Sequence, residues 1–343
     1  MQASSSLMSE VDAPAINRIG RFHILRELGR GIVGAVYLAH DPVIDRKVAV
    51  KTFNPGLHPI ERKQHAEEFI NEARAAGRIS HPGIVTIYDA STENGTAWIA
   101  MEYLEGKTLG KWLEDENFFK FEDVAAIIWR VADALHHAHQ HSVIHRDIKP
   151  GNIFVNDKQR PVLVDFGIAR SPDRISSSWW TNDQTYTLSG NNLLGTPHYM
   201  SPEQALGQPI DARTDIYSLG VVMYEMLCGQ KPHQTDNWVE LLEMLRTKSP
   251  VPPHRINPAI PVELSRIAMK AMSKRPASRY QHADEMVQDL RHYLIRQRRQ
   301  RRLSDLDYSG INPLRALSQR RVPGVLSIGI SAALLAAGVL LYF

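Results

Sequence analysis

His145-Arg146-Asp147-Ile148-Lys149-Pro150-Gly151-Asn152, followed thirteen residues after Asn152 by Asp165-Phe166-Gly167, sets out a base, a cation and two oxygen ligands in one short stretch. Moving a phosphoryl group from ATP to a hydroxyl needs that set. Such a transfer asks little covalent chemistry of the protein; catalysis comes from holding the nucleophile in line and neutralising charge on the phosphate oxygens. In this reading Asp147 accepts the hydroxyl proton and Lys149 sits against the transferring phosphate. Asn152 and Asp165 offer oxygen to Mg2+, a hard cation that pairs with carboxylate, carboxamide and phosphate oxygens. Alone, a His-Arg-Asp is usually a solvated loop and an Asp-Phe-Gly a turn with a packed aromatic, so the joint spacing carries the reading. Val143 to Ile144, Ile153 to Val155 and Val162 to Val164 are short apolar runs, which predicts small strands presenting the polar loops at a cleft.

Upstream, Gly29-Arg30-Gly31-Ile32-Val33-Gly34-Ala35-Val36 has the form G-x-G-x-x-G-x-V between two apolar runs. A dinucleotide-binding fingerprint needs a helix after its glycines, whereas a strand follows here. The stretch therefore reads as a nucleotide-phosphate loop: the backbone around Gly29, Arg30, Gly31, Val33 and Gly34 approaches the phosphates and Val36 packs on adenine. Val48-Ala49-Val50-Lys51 is an apolar strand carrying one lysine, by default a snorkelling surface cation. Against that default stands a helical stretch from Glu61 to Ile79, with Ala66, Phe69, Ile70, Ala73 and Ala76 at three-to-four spacing and Glu72 beside that stripe.

With these motifs in place, the chain resembles the eukaryotic-like (Hanks-type) serine/threonine protein kinases of bacteria from about Phe22 to about Tyr293. Met101-Glu102-Tyr103-Leu104-Glu105-Gly106 matches the junction between lobes. Gly195-Thr196-Pro197-His198-Tyr199-Met200-Ser201-Pro202-Glu203, the Asp211 to Gly220 stretch and the late Arg279 extend the match. The resemblance implies an α+β, two-lobed kinase fold with a small β-rich N-lobe (21–104) and a larger, mainly helical C-lobe (105–295). It implies ATP and Mg2+ as cofactors, and Lys51 steadied by a helix glutamate as the holder of the ATP phosphates. Glu72 fits that role better than Glu67 or Glu68. It also implies Glu102 and Leu104 or its neighbour as backbone partners of the adenine edge, Glu203 paired with Arg279, and Asp215 bracing the catalytic-loop backbone.

Lys149 and Thr196 resemble the serine/threonine-specific pattern, so the expected substrates are proteins bearing serine or threonine. Arg146, next to the base, suits bidentate capture of a phosphorylated activation segment. Thr185-Tyr186-Thr187 resembles the pair that bacterial kinases autophosphorylate, which makes Thr185 and Thr187 the expected phosphosites. Trp179-Trp180 in the same run leaves room for a partner surface. An alternative reading, a pseudokinase scaffold that binds partners without catalysis, requires the loss of Lys51, Glu72, Asp147, Asn152 or Asp165, and all five are present. A small-molecule kinase of related fold is disfavoured by the Gly195 to Glu203 segment, which in the family shapes a peptide groove.

A chain of 343 residues with 43% hydrophobic content accommodates a large two-lobed domain, and its single cysteine, Cys228, excludes an internal disulfide. Cys228 ends an apolar helix-like run and is expected in the core. His136, His137, His139, His141 and His145 crowd the approach to the catalytic loop, but imidazole is a poor ligand for Mg2+. Residues 1–20 are Ser- and Ala-rich, lack a secretory signal and read as a disordered lead-in.

From Arg296 to Arg321 eight arginines stand against Asp305 and Asp307, although the whole chain carries only +3. Nucleic acid is the rival partner for such a run, and the next segment argues against it. Val322 to Phe343 is uncharged for 22 residues, about 33 Å as a helix and enough to span a bilayer core. The expectation is a basic juxtamembrane linker (296–321) on anionic headgroups and a transmembrane helix (322–343). The arginines on its N-terminal side place the kinase at the cytoplasmic face of the cell inner membrane, in a single-pass protein. Gly329, Ala333 and Ala337 share a face through which two such helices could form a homodimer. Many relatives continue past this helix into an extracellular sensor; the reading here is either an anchor by the tail or a later region beyond this sequence.

Overall fold

Alternation with period two along residues 34–53 gives the N-lobe sheet two different apolar faces. The computed structural model describes residues 17–31, 34–53, 59–93, 95–115, 119–156, 158–166 and 197–309, without the side chains of 59–65, 68, 72 and 303–309. Strands β1 (Arg18–Ile19), β2 (Phe22–Gly31), β3 (Gly34–Asp41), β4 (Arg46–Phe53), β5 (Ile87–Glu93) and β6 (Thr96–Glu102) form one antiparallel sheet in the order β1-β2-β3-β4-β6-β5. One face, with Ala49, Phe53, Ile99 and Met101, packs on Ala66, Phe69, Ile70 and Ala73 of α1 (Pro59–Ala76), the stripe expected from the spacing. The opposite face gathers Phe22, Ala35, Tyr37, Val48, Val50 and Trp98 in a second cluster. Lys51 therefore lies on the α1 side and Thr52 on the other.

The last residues of the lead-in expected over 1–20 are ordered instead, because Ile19 is buried against this second cluster and pairs with Phe22 in β1–β2. Residues 1–16 lie outside the described residues.

The C-lobe begins with β7 (Lys107–Thr108) and α2 (Leu109–Glu114), then α3 (Phe121–Gln140). Strands β8 (Ile153–Val155) and β9 (Pro161–Leu163) join β7 in a three-stranded sheet that carries the loops quoted first. Val143 and Ile144, expected as a strand, form none; Val143 N–H instead donates to Ala138 O at the end of α3, at 3.0 Å. Leu163 N–H donates to Gly83 O at 2.8 Å and Val85 N–H to Leu163 O at 2.9 Å, which ties the segment after α1 to β9.

Further helices are α4 (Pro202–Ala205), α5 (Arg213–Cys228), α6 (Trp238–Thr247), α7 (Pro253–Ile256), α8 (Val262–Ala271) and α9 (Ala283–Ser309). Thr214 to Tyr224 of α5 are all buried, as expected of a helix surrounded by others rather than lying on a surface. Gly220 permits that approach: a Cβ there would sit 2.8 Å from Ala271 Cβ and 2.9 Å from Met272 Cγ. Cys228 closes α5 half-buried against the core, and burial pushes its thiol up to about 12. The basic stretch expected as a linker from 296 is helical through Ser309, since Arg, Gln and Leu are good helix formers. Residues 310–343, with the proposed span and its small-residue face, lie outside the described residues; among those described, no helix is long and apolar enough to cross a membrane.

One buried ion pair links distant parts of this lobe. Arg279, with its side chain fully buried, donates to both Glu203 oxygens, from Nη1 at 2.6 Å and Nη2 at 2.7 Å. Its remaining N–H groups go to Ser273 O, Arg213 O and Lys274 O, so the planar guanidinium is saturated. Burial works to raise the Glu203 pKa, but the hydrogen bonds and charge of Arg279, helped by the Thr214 hydroxyl, hold it below the ordinary glutamate range. Replacing Arg279→Met leaves a buried carboxylate without its cation and should cost about 3–5 kcal/mol, read as a lowered thermal midpoint. A depressed carboxyl pKa gives stability that is present at neutral pH and lost as pH falls through the folded-state value. The gap between native protein and variant should therefore narrow on acidification.

Candidate active site

The catalytic-loop backbone is organised by one buried carboxylate. Asp215, in the first turn of α5, accepts the N–H of His145 at Oδ2 and of Arg146 at Oδ1, each at 2.8 Å, and His139 Nε2–H of α3 at Oδ2, also at 2.8 Å. Burial alone would raise its pKa; the hydrogen bond and charge of His139, with His145 beside it, outweigh that and hold the carboxyl below the ordinary range. These bonds support Arg146 at φ +65°, a left-handed conformation that is uncommon for a residue with a side chain. Gln204 of α4 secures the other side of the same residue, donating from Nε2 to Arg146 O at 2.9 Å.

His145 is a strut rather than a proton carrier. Its Nδ1 accepts the Asp147 N–H at 3.3 Å, so the ring proton is on Nε2, which donates to Val164 O at 3.0 Å. Burial lowers its pKa and keeps it neutral. The imidazole packs on the Phe166 ring at 4.6 Å between centroids, joining the loop of Asp147 to the segment of Asp165. Asp165 itself has φ +57°. Of the neighbouring histidines, His137 stacks on His81 and meets the His141 ring at a tilt.

Most of the expected catalytic groups are in reach of one another. Lys149 Nζ donates to Asp147 Oδ2 at 2.7 Å, and Asn152 Nδ2 donates to Asp147 O at 2.8 Å and to Oδ2 at 2.9 Å. With its nitrogen so committed, Asn152 has the carboxamide oxygen left as its ligating atom, and Val164 N–H to Asn152 O at 3.0 Å couples it to the residue before Asp165. An amide oxygen from Asn152 and carboxylate oxygen from Asp165 fit a hard divalent cation. Lys51 Nζ reaches across from β4 to Asp165 Oδ1 at 2.8 Å. Glu72 lies on α1, but its side chain is outside what is described, so the expected Lys51–Glu72 pair carries no distance.

Val36, Ala49, Met101, Leu104 and Val164 belong to one apolar cluster, in keeping with an adenine site. Glu102 N–H is taken by Thr86 O at 2.9 Å, so of the two backbone groups of Glu102 only the carbonyl is left to be considered for a purine edge. In the glycine loop, Gly29, Arg30 and Gly31 end β2 and Gly34 opens β3, with Gly31 paired to Gly34. The Arg30 guanidinium bonds Glu27 and the Tyr37 hydroxyl, so what it offers a phosphate is its backbone. Val33, Gly167, Thr185, Thr187, Thr196 and the Trp179-Trp180 pair lie outside the described residues.

Two supports escaped the sequence reading. Gln204 had a legible signal, since Ser201-Pro202-Glu203-Gln204 is a capping-box pattern, and that box forms; its bond to Arg146 is tertiary. His139 had none, as nothing in a run of histidines says which one meets a carboxylate 76 residues away.

Comparison with known proteins agrees with this geometry. The family model described as a protein kinase domain matches residues 22–309. A probable serine/threonine-protein kinase of Clostridium acetobutylicum is 38% identical over 270 residues, which is 79% of this chain and 39% of the relative. The serine/threonine-protein kinase PrkC of Bacillus subtilis is 36% identical over 273 residues, 79% of this chain and 40% of that protein. PknB of Mycolicibacterium smegmatis is 38% identical over 274 residues, again 79% of this chain and 42% of the relative. The chain thus spans about two-fifths of the length of these curated relatives. Among solved structures, a mutant PknI kinase domain of Mycobacterium tuberculosis superposes with a TM-score of 0.64 at 25% identity, covering 82% of this chain and 99% of that one. By the extent of the family match and the identity to these relatives, the chain belongs to the protein kinase domain family.

Proposed function

We propose that this chain is a serine/threonine protein kinase that transfers the ATP γ-phosphate to hydroxyls on protein substrates. The observation that carries the reading is the Asp147 carboxylate held at once by Lys149 and Asn152. A base so placed accepts the proton of an attacking hydroxyl, and Lys149 beside it offsets charge on the phosphoryl oxygens. Lys51 holds the nucleotide phosphates, with Glu72 of α1 as its proposed second partner. Mg2+, when bound, supplies charge neutralisation at the phosphate oxygens, and Asn152 and Asp165 are the residues that would hold it. The Glu102 carbonyl and the backbone at Leu104 receive adenine above Val36.

Regulation by autophosphorylation at Thr185 or Thr187 follows from the sequence of the activation segment and from Arg146, whose backbone is pinned on both sides. Attachment to the cytoplasmic face of the inner membrane rests on the arginine-rich run from 296 and the 22 uncharged residues that end the sequence.

Incubation of the full chain with labelled ATP and Mg2+, with phosphosites mapped by mass spectrometry, should place label on Thr185 or Thr187. Asp147→Asn should lose activity by roughly 10²- to 10⁴-fold, the usual worth of a general base. Equal labelling of native chain and variant would refute the role of Asp147. Alkaline carbonate extraction of membranes should leave the chain in the pellet, and its release into the supernatant would refute the anchor.

A further inference from the structure

Thr52 follows the phosphate-holding lysine on the outer face of the sheet, among the apolar side chains of Val48 and Val50. Alternation along β4 asks for another apolar residue there, yet the position carries a hydroxyl and is 6% exposed. That hydroxyl both donates and accepts. It accepts the Ala35 N–H at 3.2 Å and donates to the Ala35 carbonyl at 3.1 Å.

Its location gives these bonds meaning. The β3–β4 ladder ends at the Val36↔Lys51 pair, so Ala35 is the next residue on β3 and Thr52 the next on β4. A side chain, both donor and acceptor, thus carries the pairing one step further than the ladder does. A second contact is at the same place: a Cβ on Gly34 would lie 1.8 Å from Thr52 O and 2.8 Å from its carbonyl carbon. The root of the glycine loop is therefore seated directly on the Thr52 peptide, and only glycine allows that approach. Lys51, one residue back, extends to Asp165 Oδ1 at 2.8 Å.

We infer that Thr52 is a positioning residue for the nucleotide phosphates: its hydroxyl locks the root of the glycine loop, Gly34–Ala35, in register with Lys51. Loop backbone and lysine ammonium then meet the same phosphates from two sides at a fixed separation. The inference rests on the phosphoryl-transfer reading above. A valine at this position has nearly the same volume but leaves the Ala35 N–H and C=O without the hydroxyl, in a buried place.

The test is calorimetric titration of the full chain in detergent with ATP and Mg2+, followed by steady-state kinetics on casein, for native protein, Thr52→Val, Thr52→Ala and Thr52→Ser. Loss of the hydroxyl should weaken ATP binding about five- to tenfold and raise KM for ATP to match, with kcat within about twofold. Thr52→Ser, which keeps both bonds, should restore native affinity. Thermal midpoints accompany each variant, and Thr52→Ala supplies the reading if the valine variant does not fold. Unchanged ATP affinity in folded hydroxyl-less variants overturns the inference, as does failure of serine to rescue. Native protein that binds ATP but transfers nothing would refute the kinase reading while the affinities still decide the role of Thr52. Native protein that binds no ATP would overturn both.

Discussion

A single carboxylate with almost no access to water, Asp215, is the constraint on which the site depends. Removing a charge from water is costly, and it is tolerated here because three N–H groups from two segments converge on it. Those bonds support the left-handed turn at Arg146, and the turn in turn sets Asp147 where Lys149 and Asn152 reach it. The same helix start supplies Thr214, whose hydroxyl donates to Glu203. From Glu203 the network passes to Arg279, and through Gln204 back to the Arg146 carbonyl. Catalytic loop, α4, α5 and the residues around Arg279 are thereby one hydrogen-bonded body, and such a network is worth more than its separate pairs.

The N-lobe solves a different problem with the same economy of charge. Its sheet carries apolar residues on both faces, so each strand position must choose between the α1 side and the outer cluster. Period-two alternation makes that choice for Ala49, Lys51 and Phe53 against Val48, Val50 and Thr52. Lys51 is left facing Asp165, the first residue of the Asp-Phe-Gly stretch, and Phe166 packs on His145. Through these two contacts the sheet bearing the glycine loop and the loop bearing Asp147 share one short segment.

Much of the fold was legible because its signals are local. Ala66, Phe69, Ile70, Ala73 and Ala76 announced α1 by spacing, and the glycine loop ahead of a strand excluded a dinucleotide fold. The motif residues Asp147, Lys149 and Asn152 are legible as a candidate set because their types and spacing match one chemistry. Less legible were weak or short signals. Val143–Ile144 is apolar but pairs with nothing in a sheet, and β1 forms from two residues that composition had placed in a lead-in. Such short runs carry too little periodicity to separate strand from loop; only the neighbours that Ile19 and Val143 bury against decide.

By itself, then, the sequence determined the family and the candidate phosphate-handling groups, since hydrophobic period and motif spacing are properties of neighbouring residues. Tertiary structure alone decided which histidine meets Asp215, that His145 is a neutral strut, that Lys51 reaches Asp165, and that the Thr52 hydroxyl stands in for a ladder pair. Those facts depend on groups 17 or more residues apart being carried into hydrogen-bond distance of each other by packing. Hydrogen bonds and ion pairs are decided at that range, and no pattern along the chain encodes it.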